Sequence, residues 1–384
     1  MEAYLDNSAT TKVYDEVTDL MVEVMRIDYG NPSAMHLKGV DAENYIKTAA
    51  KQVSDVLKVD SKEILFTSGG TESNNLAIIG TAMANRRAGN HIITTSVEHA
   101  SVLQTMAFLE NQGFEVTYLP VNKQGVIDLK DLEDAITENT ILVSVMYVNN
   151  EVGSVMPVKE IGELVKSKNK NIIYHVDAIQ AFGKYEIHPR KLKIDLLSVS
   201  GHKIHGPKGV GFLYIKDKTK INPIIFGGGQ QKNMRSGTEN VPGIVGIGKA
   251  TEMIYNGLED KINHLYELKD YMIDELKKIE NVKVHSSKGK NVAPQIVNVS
   301  FIGVRSEVLL HSLEMKNVFV SAGSACNNNK NARSNTLKQM GCSTEEVESA
   351  IRFSFQLDTT KEEIDYALDT IREMLPKLRL FTRK

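Results

Sequence analysis

The stretch "SAGSACNNNKNARSNTL", Ser321 to Leu337, holds Cys326, one of only two cysteines in the chain. Its neighbours are Ser, Ala, Gly and Asn, which offer nothing to bury a thiol. No second cysteine, histidine cluster or acidic set lies nearby at metal-ligand spacing. A thiol kept in such a loop is open to chemistry as a nucleophile or carrier. Other stretches carry groups of comparable promise. In "TSGGTESNN" a β-rich run ends in Gly69-Gly70 and Thr71 opens a helix-like segment. That arrangement turns helix N–H groups and a hydroxyl toward an anion; the plainer reading is a tight turn capped by Thr71. It is not a Walker loop, because no Gly-Lys-Ser/Thr follows. In "HVDAIQ", Asp177 ends an apolar strand, where α/β proteins place ligand-binding residues. It either pairs with a buried cationic ring nitrogen or caps the next helix. In "SVSGHKIHGPKGVGFLYI", Ser200, His202 and Lys203 follow a strand at once. A lysine over the same edge as Asp177 could form an imine with an aldehyde, if burial and nearby positive charge strip its proton. Lys208 is a rival, although "GPKG" reads as a turn, and most lysines are solvated surface groups. His99 in "SVEHAS" stands just beyond another strand, either to stack on a ring and move protons or simply to satisfy hydrogen bonds. Arg352 in "AIRFSF" alternates with apolar residues, so it is a buried fork for a carboxylate or an edge residue.

The elements that must position these groups follow from the pattern of the chain. From about residue 60 to 215, the runs "EILFTS", "HIITTS", "EVTYLPV", "TILVSVMYV", "NIIYHVD", "DLLSVS" and "GVGFLYI" alternate with helical stretches such as Val126–Ile136 and Val158–Ser167. Most of the runs lack polar alternation, as expected of strands covered on both faces of a mainly parallel sheet. The fold class is therefore α/β with one large sheet. After "GGGQQKNMRSGTENVPG" the spacing of Ile262, Leu265, Leu268, Met272, Leu276 and Ile279 predicts one long helix, Thr251 to Ile279. The strands "QIVNVSF", "NVFVSA" and "AIRFSF" and a last helix, Lys361–Leu378, complete a smaller α+β part. With 384 residues, two domains are expected: a large one over 15–250, and a small one made of 1–14 and 251–384 that carries the cysteine loop, about 321–337. A net charge of −2 gives no reason to expect nucleic acid or an anionic membrane as partner. No signal-peptide pattern is evident, and no apolar run approaches the roughly 20 residues that span a bilayer. Two cysteines make no disulfide framework, and a cytoplasmic location is expected.

Taken together, the segments "YLDNSATT", "GNPSAMH", "TSGGTESNN", "VNNEVG", "HVDAIQAFGK", "SGHKIHGPKGVGFLY", "RSGTEN", "SAGSAC" and "IRFS" resemble, in order and spacing, the cysteine desulfurases of the nitrogenase and iron–sulfur cluster assembly type. These are class V aminotransferases of the fold type I group that use pyridoxal 5'-phosphate. The resemblance implies Lys203 as the Schiff-base lysine and Asp177 as partner of the ring nitrogen. It implies Gln180 on the ring hydroxyl, His99 stacked on the ring, and Gly70, Thr71, Ser200 and His202 around the phosphate. Thr238 matches a residue that reaches the phosphate in the neighbouring subunit of a homodimer. Asn150 and Arg352 match substrate-holding residues, Arg352 on the carboxylate, and His36 lines the substrate mouth. Cys326 matches the cysteine that receives sulfur from L-cysteine as a persulfide, for transfer to an acceptor such as a cluster scaffold or a tRNA-thiolating enzyme.

This chain departs from the family after Cys326, where Arg333, Asn335 and Thr336 replace the usual residues, and it stops at "LRLFTRK" without a longer tail. Those differences bear on loop packing and on the acceptor, not on desulfuration. Cys342 falls where the family has no function and reads as structural. The competing readings are a selenocysteine lyase or another class V enzyme, and a non-catalytic sulfur-relay partner. A transaminase has no need of the loop thiol, and the retained Lys203, Asp177, His99 and Cys326 argue for turnover.

Overall fold

The computed structural model describes residues 1–323 and 335–380. Cys326, with the expected openness of its thiol, and Arg333 lie outside the described residues. In chain order the strands are β1 (Ala3–Tyr4), β2 (Ile64–Thr67), β3 (His91–Thr95), β4 (Glu115–Leu119), β5 (Thr140–Met146), β6 (Ile173–Asp177), β7 (Leu196–Ser200) and β8 (Gly211–Ile215). They continue with β9 (Val282–Val284), β10 (Ile296–Phe301), β11 (Val318–Phe319), β12 (Ser321–Ala322) and β13 (Ala350–Ser354).

Seven strands form one sheet in the order β2-β8-β7-β6-β5-β3-β4. Neighbours run parallel except at β8, which is antiparallel to both β2 and β7. Every residue of β5, β6 and β7 is buried, which explains their unbroken apolar runs: helices cover both faces of the sheet. The α/β class with a mainly parallel sheet is thus the observed fold.

A second sheet, β12-β13-β10-β9, is antiparallel, and β1 pairs in parallel with β11. Asp6 also bridges to Ser354 at the end of β13. These pairings stitch the first residues of the chain to its last third and carry Ser8 and Ala9 over the edge of the large sheet.

The expected helix from Thr251 to Ile279 is two helices, Val241–Tyr255 and Leu258–Leu276. Gly257, at φ 68°, takes the left-handed conformation that ends one helix and redirects the chain into the next. The apolar spacing runs on through the break, so periodicity alone does not reveal it. The helix expected over Val126–Ile136 is shorter, Leu129–Ala135, because the Asp128 side chain accepts from Lys130 N and starts it there.

Candidate active site

Parallel strands present their carboxyl ends at one edge, and the chemistry-bearing turns gather there. β2 leads into Gly69-Gly70-Thr71, β3 into Glu98-His99, and β5 into Asn149-Asn150. β6 ends on Asp177, and β7 ends on Ser200, followed by His202 and Lys203. In register, Met146 stands opposite Asp177, and Asp177 opposite Ser198. Among these turns lies a cavity of about 180 Å³, bounded also by Ser8, Ala9, Ser101, Gln180 and Arg352. Gly70, Thr71, His99, Asn150, Asp177, Gln180, Ser200, His202, Lys203 and Arg352 all line it.

The anion cradle depends on two glycines. Gly69 has φ 149°, a conformation that residues with a side chain rarely adopt. A Cβ on Gly70 would come within 2.2 Å of Ile179 Cδ1 and 3.5 Å of Ser200 Cβ. The Gly70–Asn75 helix then buries Asn74, whose Nδ2 donates to Asp177 Oδ2 at 2.7 Å and to Ser101 Oγ at 2.9 Å. Asp177 Oδ1 accepts from Ile179 N at 3.0 Å. Ser101 N donates to His99 Nδ1 at 3.1 Å, so in the neutral ring the proton sits on Nε2. Asp177, Asn74, Ser101 and His99 thus form one connected network.

The Lys203 amine donates to the carbonyls of Ser8 and Ala9, the latter at 2.7 Å. Gln180 Nε2 donates to the same Ser8 carbonyl at 3.0 Å. Arg352 is buried; Nη1 donates to the Asn150 carbonyl at 2.9 Å and Nη2 pairs with Asp6 at 2.8 Å. Its Nε is buried without a partner among the described residues.

Electrostatics follow from the enclosure. Burial raises the Asp177 carboxyl above its usual range, against the hydrogen bonds from Ile179 and Asn74. A buried acid of this kind favours a cationic partner. Burial, reinforced by the charges of Lys203 and Lys208, takes His202 down to about 4, so at neutral pH its ring is uncharged. Behind the site the buried Lys184 amine lies 3.4 Å from the Lys203 carbonyl. Burial and then the charge of Lys203 bring Lys184 down to about 8.

Thr238 and His36 do not line this cavity. Thr238 is exposed, on a segment tied to the cradle helix by the Arg235–Glu72 pair at 2.9 Å. His36 is exposed just before the Leu37–Leu57 helix. Cys342 is half-buried, its sulfur 3.6 Å from His285 Nδ1. His285 Nε2 lies 2.7 Å from Ser300 Oγ, which donates to the Glu346 carbonyl. Nε2 therefore carries the ring proton and Nδ1 accepts from the thiol, which accounts for Cys342 as a packed structural residue.

Sequence reasoning passes over Asn74, Ser101, Asp6 and the Ser8 and Ala9 carbonyls. One signal was available: an Asn inside a helix is unfavourable unless its amide finds partners. The carbonyl contacts left no such trace, because main-chain acceptors carry no residue type.

The class-V aminotransferase family model matches residues 3–367. A cysteine desulfurase IscS of Methanosarcina thermophila is 46% identical, over 98% of this chain and 92% of that protein. One from Proteus mirabilis is 45% identical, over 98% and 93%. Among solved structures, a NifS-like protein superposes with a TM-score of 0.93 at 39% identity, covering 98% of this chain and all of that one. A structure described as SspA in complex with cysteine gives 0.80 at 36% identity, over 92% and 98%. With the cradle, the buried acid and the enclosed lysine on one sheet edge, these likenesses carry one conclusion: the chain belongs to the class-V aminotransferases, within their cysteine desulfurase group.

Proposed function

We propose that the cavity binds pyridoxal 5'-phosphate and L-cysteine, and that the chain is a cysteine desulfurase that converts L-cysteine to L-alanine while Cys326 takes up the sulfur. The observation that carries the reading is one buried carboxylate, Asp177, and one enclosed amine, Lys203, lining the same cavity as a glycine-shaped anion cradle. That donor set fits the cofactor: Gly70, Thr71, Ser200 and His202 for the phosphate, Asp177 for the ring nitrogen, Gln180 for the ring hydroxyl, and His99 against the ring. Bound there, the cofactor supplies an electron sink for loss of an amino acid's α-proton.

Lys203 would hold the cofactor through its amine and, once freed, would move the α-proton, for which the amine must be neutral. Asp177 stays ionised beside a cationic ring nitrogen, which offsets its burial. Arg352 and the Asn150 side chain take the substrate carboxylate. At the substrate, the Cβ–S bond breaks and a new S–S bond forms at the Cys326 thiol. One thiol and one L-cysteine thereby become one persulfide and one L-alanine. An unperturbed thiol titrates near about 8.5, so a base beside it, for which His99 is the candidate, assists the transfer.

The same reading divides the chain into a large cofactor domain, 15–250, and a small domain of 1–14 and 251–384. It makes Thr238 a contributor to the neighbouring site of a homodimer. A protein acceptor, a cluster scaffold or a tRNA-thiolating enzyme, then relieves Cys326 of its sulfur in the cytoplasm. The test is to replace Cys326 and Lys203 separately. Cys326→Ala should keep the cofactor's visible absorbance and lose sulfide release. Lys203→Ala should lose the covalent attachment, seen as cofactor that dialyses away. A Cys326→Ala enzyme as active as the wild type would remove the thiol from the mechanism.

A further inference from the structure

Glu98 has no part in the chemistry above, yet it is buried one residue before His99, with 5% of its surface exposed. β3 pairs with β5 only over His91–Ile93. Beyond that point side chains hold the two strands together. Thr94 Oγ1 donates to the Ser144 carbonyl at 2.9 Å. Glu98 Oε1 accepts from Thr95 Oγ1 at 2.7 Å and from Met146 N at 2.9 Å. Met146 is the last residue of β5 and lines the cavity. Without Glu98 its N–H would be a buried donor lacking an acceptor. The rest of the turn is held from elsewhere: Asn149 Nδ2 donates to Val97 O at 3.2 Å, and Asn335 Nδ2 to Ser96 O at 2.8 Å. Glu98 Oε2 is buried with no partner among the described residues.

We propose that Glu98 is a positioning residue, whose Oε1 staples the turn carrying His99 to the end of β5 and so fixes the imidazole over the cavity. The proposal rests on the desulfurase reading for what His99 does, but not for how it is held. What matters is the reach of an uncharged acceptor, not a negative charge. Burial, with a smaller push from Asp177, takes the carboxyl up to about 8. Asp177 and Tyr174, both on β6, are titratable groups that share its field. A second carboxylate facing Asp177 would oppose ionisation there, and a neutral Glu98 avoids that.

The distinguishing experiment compares Glu98→Gln with Glu98→Asp in the cofactor-loaded enzyme. Gln keeps an acceptor at the same reach without a charge; Asp keeps the acid but is one methylene short of bridging Thr95 and Met146. The readouts are visible circular dichroism of the bound cofactor, and kcat and KM for L-cysteine. Glu98→Gln should match the wild type in the dichroic band and keep kcat within about twofold, whereas Glu98→Asp should alter the band and lower kcat by roughly tenfold to a hundredfold, the scale of a small misplacement. Rescue by Asp but not Gln, or no change in either variant, would overturn the proposal. If the wild type releases no alanine from L-cysteine, the desulfurase reading fails by itself. The dichroism comparison still decides whether Glu98 sets the environment of the site.

Discussion

Asn74 divides a single amide between Ser101 and Asp177, and so couples the buried acid to the residue that orients His99. Its bond to Asp177 favours the ionised form. Replacing Asn74 with Ala therefore leaves the carboxyl still higher, and the acid limb of kcat should move up by about one pH unit, on the scale of one charge-assisted hydrogen bond. A limb that stays in place would separate Asn74 from the titration of Asp177. Lys184 offers a stability test with the opposite dependence. Its amine titrates near about 8 in the fold, below its ordinary value, so between there and about 10.4 the unfolded chain holds a proton that the native chain lacks. Burial of this amine thus destabilises the fold fully at or below pH 7, and the cost fades as pH rises toward the unfolded value. Lys184→Met should raise the melting temperature at pH 7 and have little effect at pH 10. A gain that is the same at both values would mean that charge is not the cause.

At the level of elements, the site depends on how closely β8 approaches the cradle. A Cβ on Gly211 would lie 2.5 Å from the Val199 carbonyl and 2.8 Å from Gly69 Cα. Both are main-chain atoms that cannot swing aside. Gly211→Ala should cost about 1–3 kcal/mol, the usual range for overpacking, and should weaken cofactor retention because the displaced backbone includes Gly69. Thermal unfolding with and without added cofactor measures both effects. Most strands of the large sheet were legible because burial on both faces leaves short apolar runs bounded by turn residues. Their place at or just after the end of such a run marked Gly70, Thr71, Asp177, Ser200 and Lys203 as candidates, while their roles came from the family resemblance. The break at Gly257 was not legible, because apolar spacing continues through it. Nor were the contacts of Lys203 with Ser8 and Ala9, made across nearly two hundred residues by carbonyls that any sequence would supply.

On the scale of the whole molecule, the chain has a surface that its own fold leaves uncovered. Tyr29, Met35 and Leu37 are 75%, 103% and 81% exposed, and Phe226, 80% exposed, lies on the segment leading to Thr238. Exposed apolar residues of this size are what the proposed homodimer would cover. Sedimentation should find a dimer at micromolar concentration, and Met35→Glu with Leu37→Glu should shift it toward monomer with weaker cofactor retention; a monomeric wild type would end this part of the account. No helix among the described residues is long and apolar enough to cross a membrane. The most direct test of the central claim is to supply L-cysteine and a thiol reductant to the cofactor-loaded enzyme and measure alanine and sulfide together. Equal amounts of both are expected from the wild type and neither from Lys203→Ala. Wild-type enzyme that yields no alanine above the Lys203→Ala level would contradict that claim.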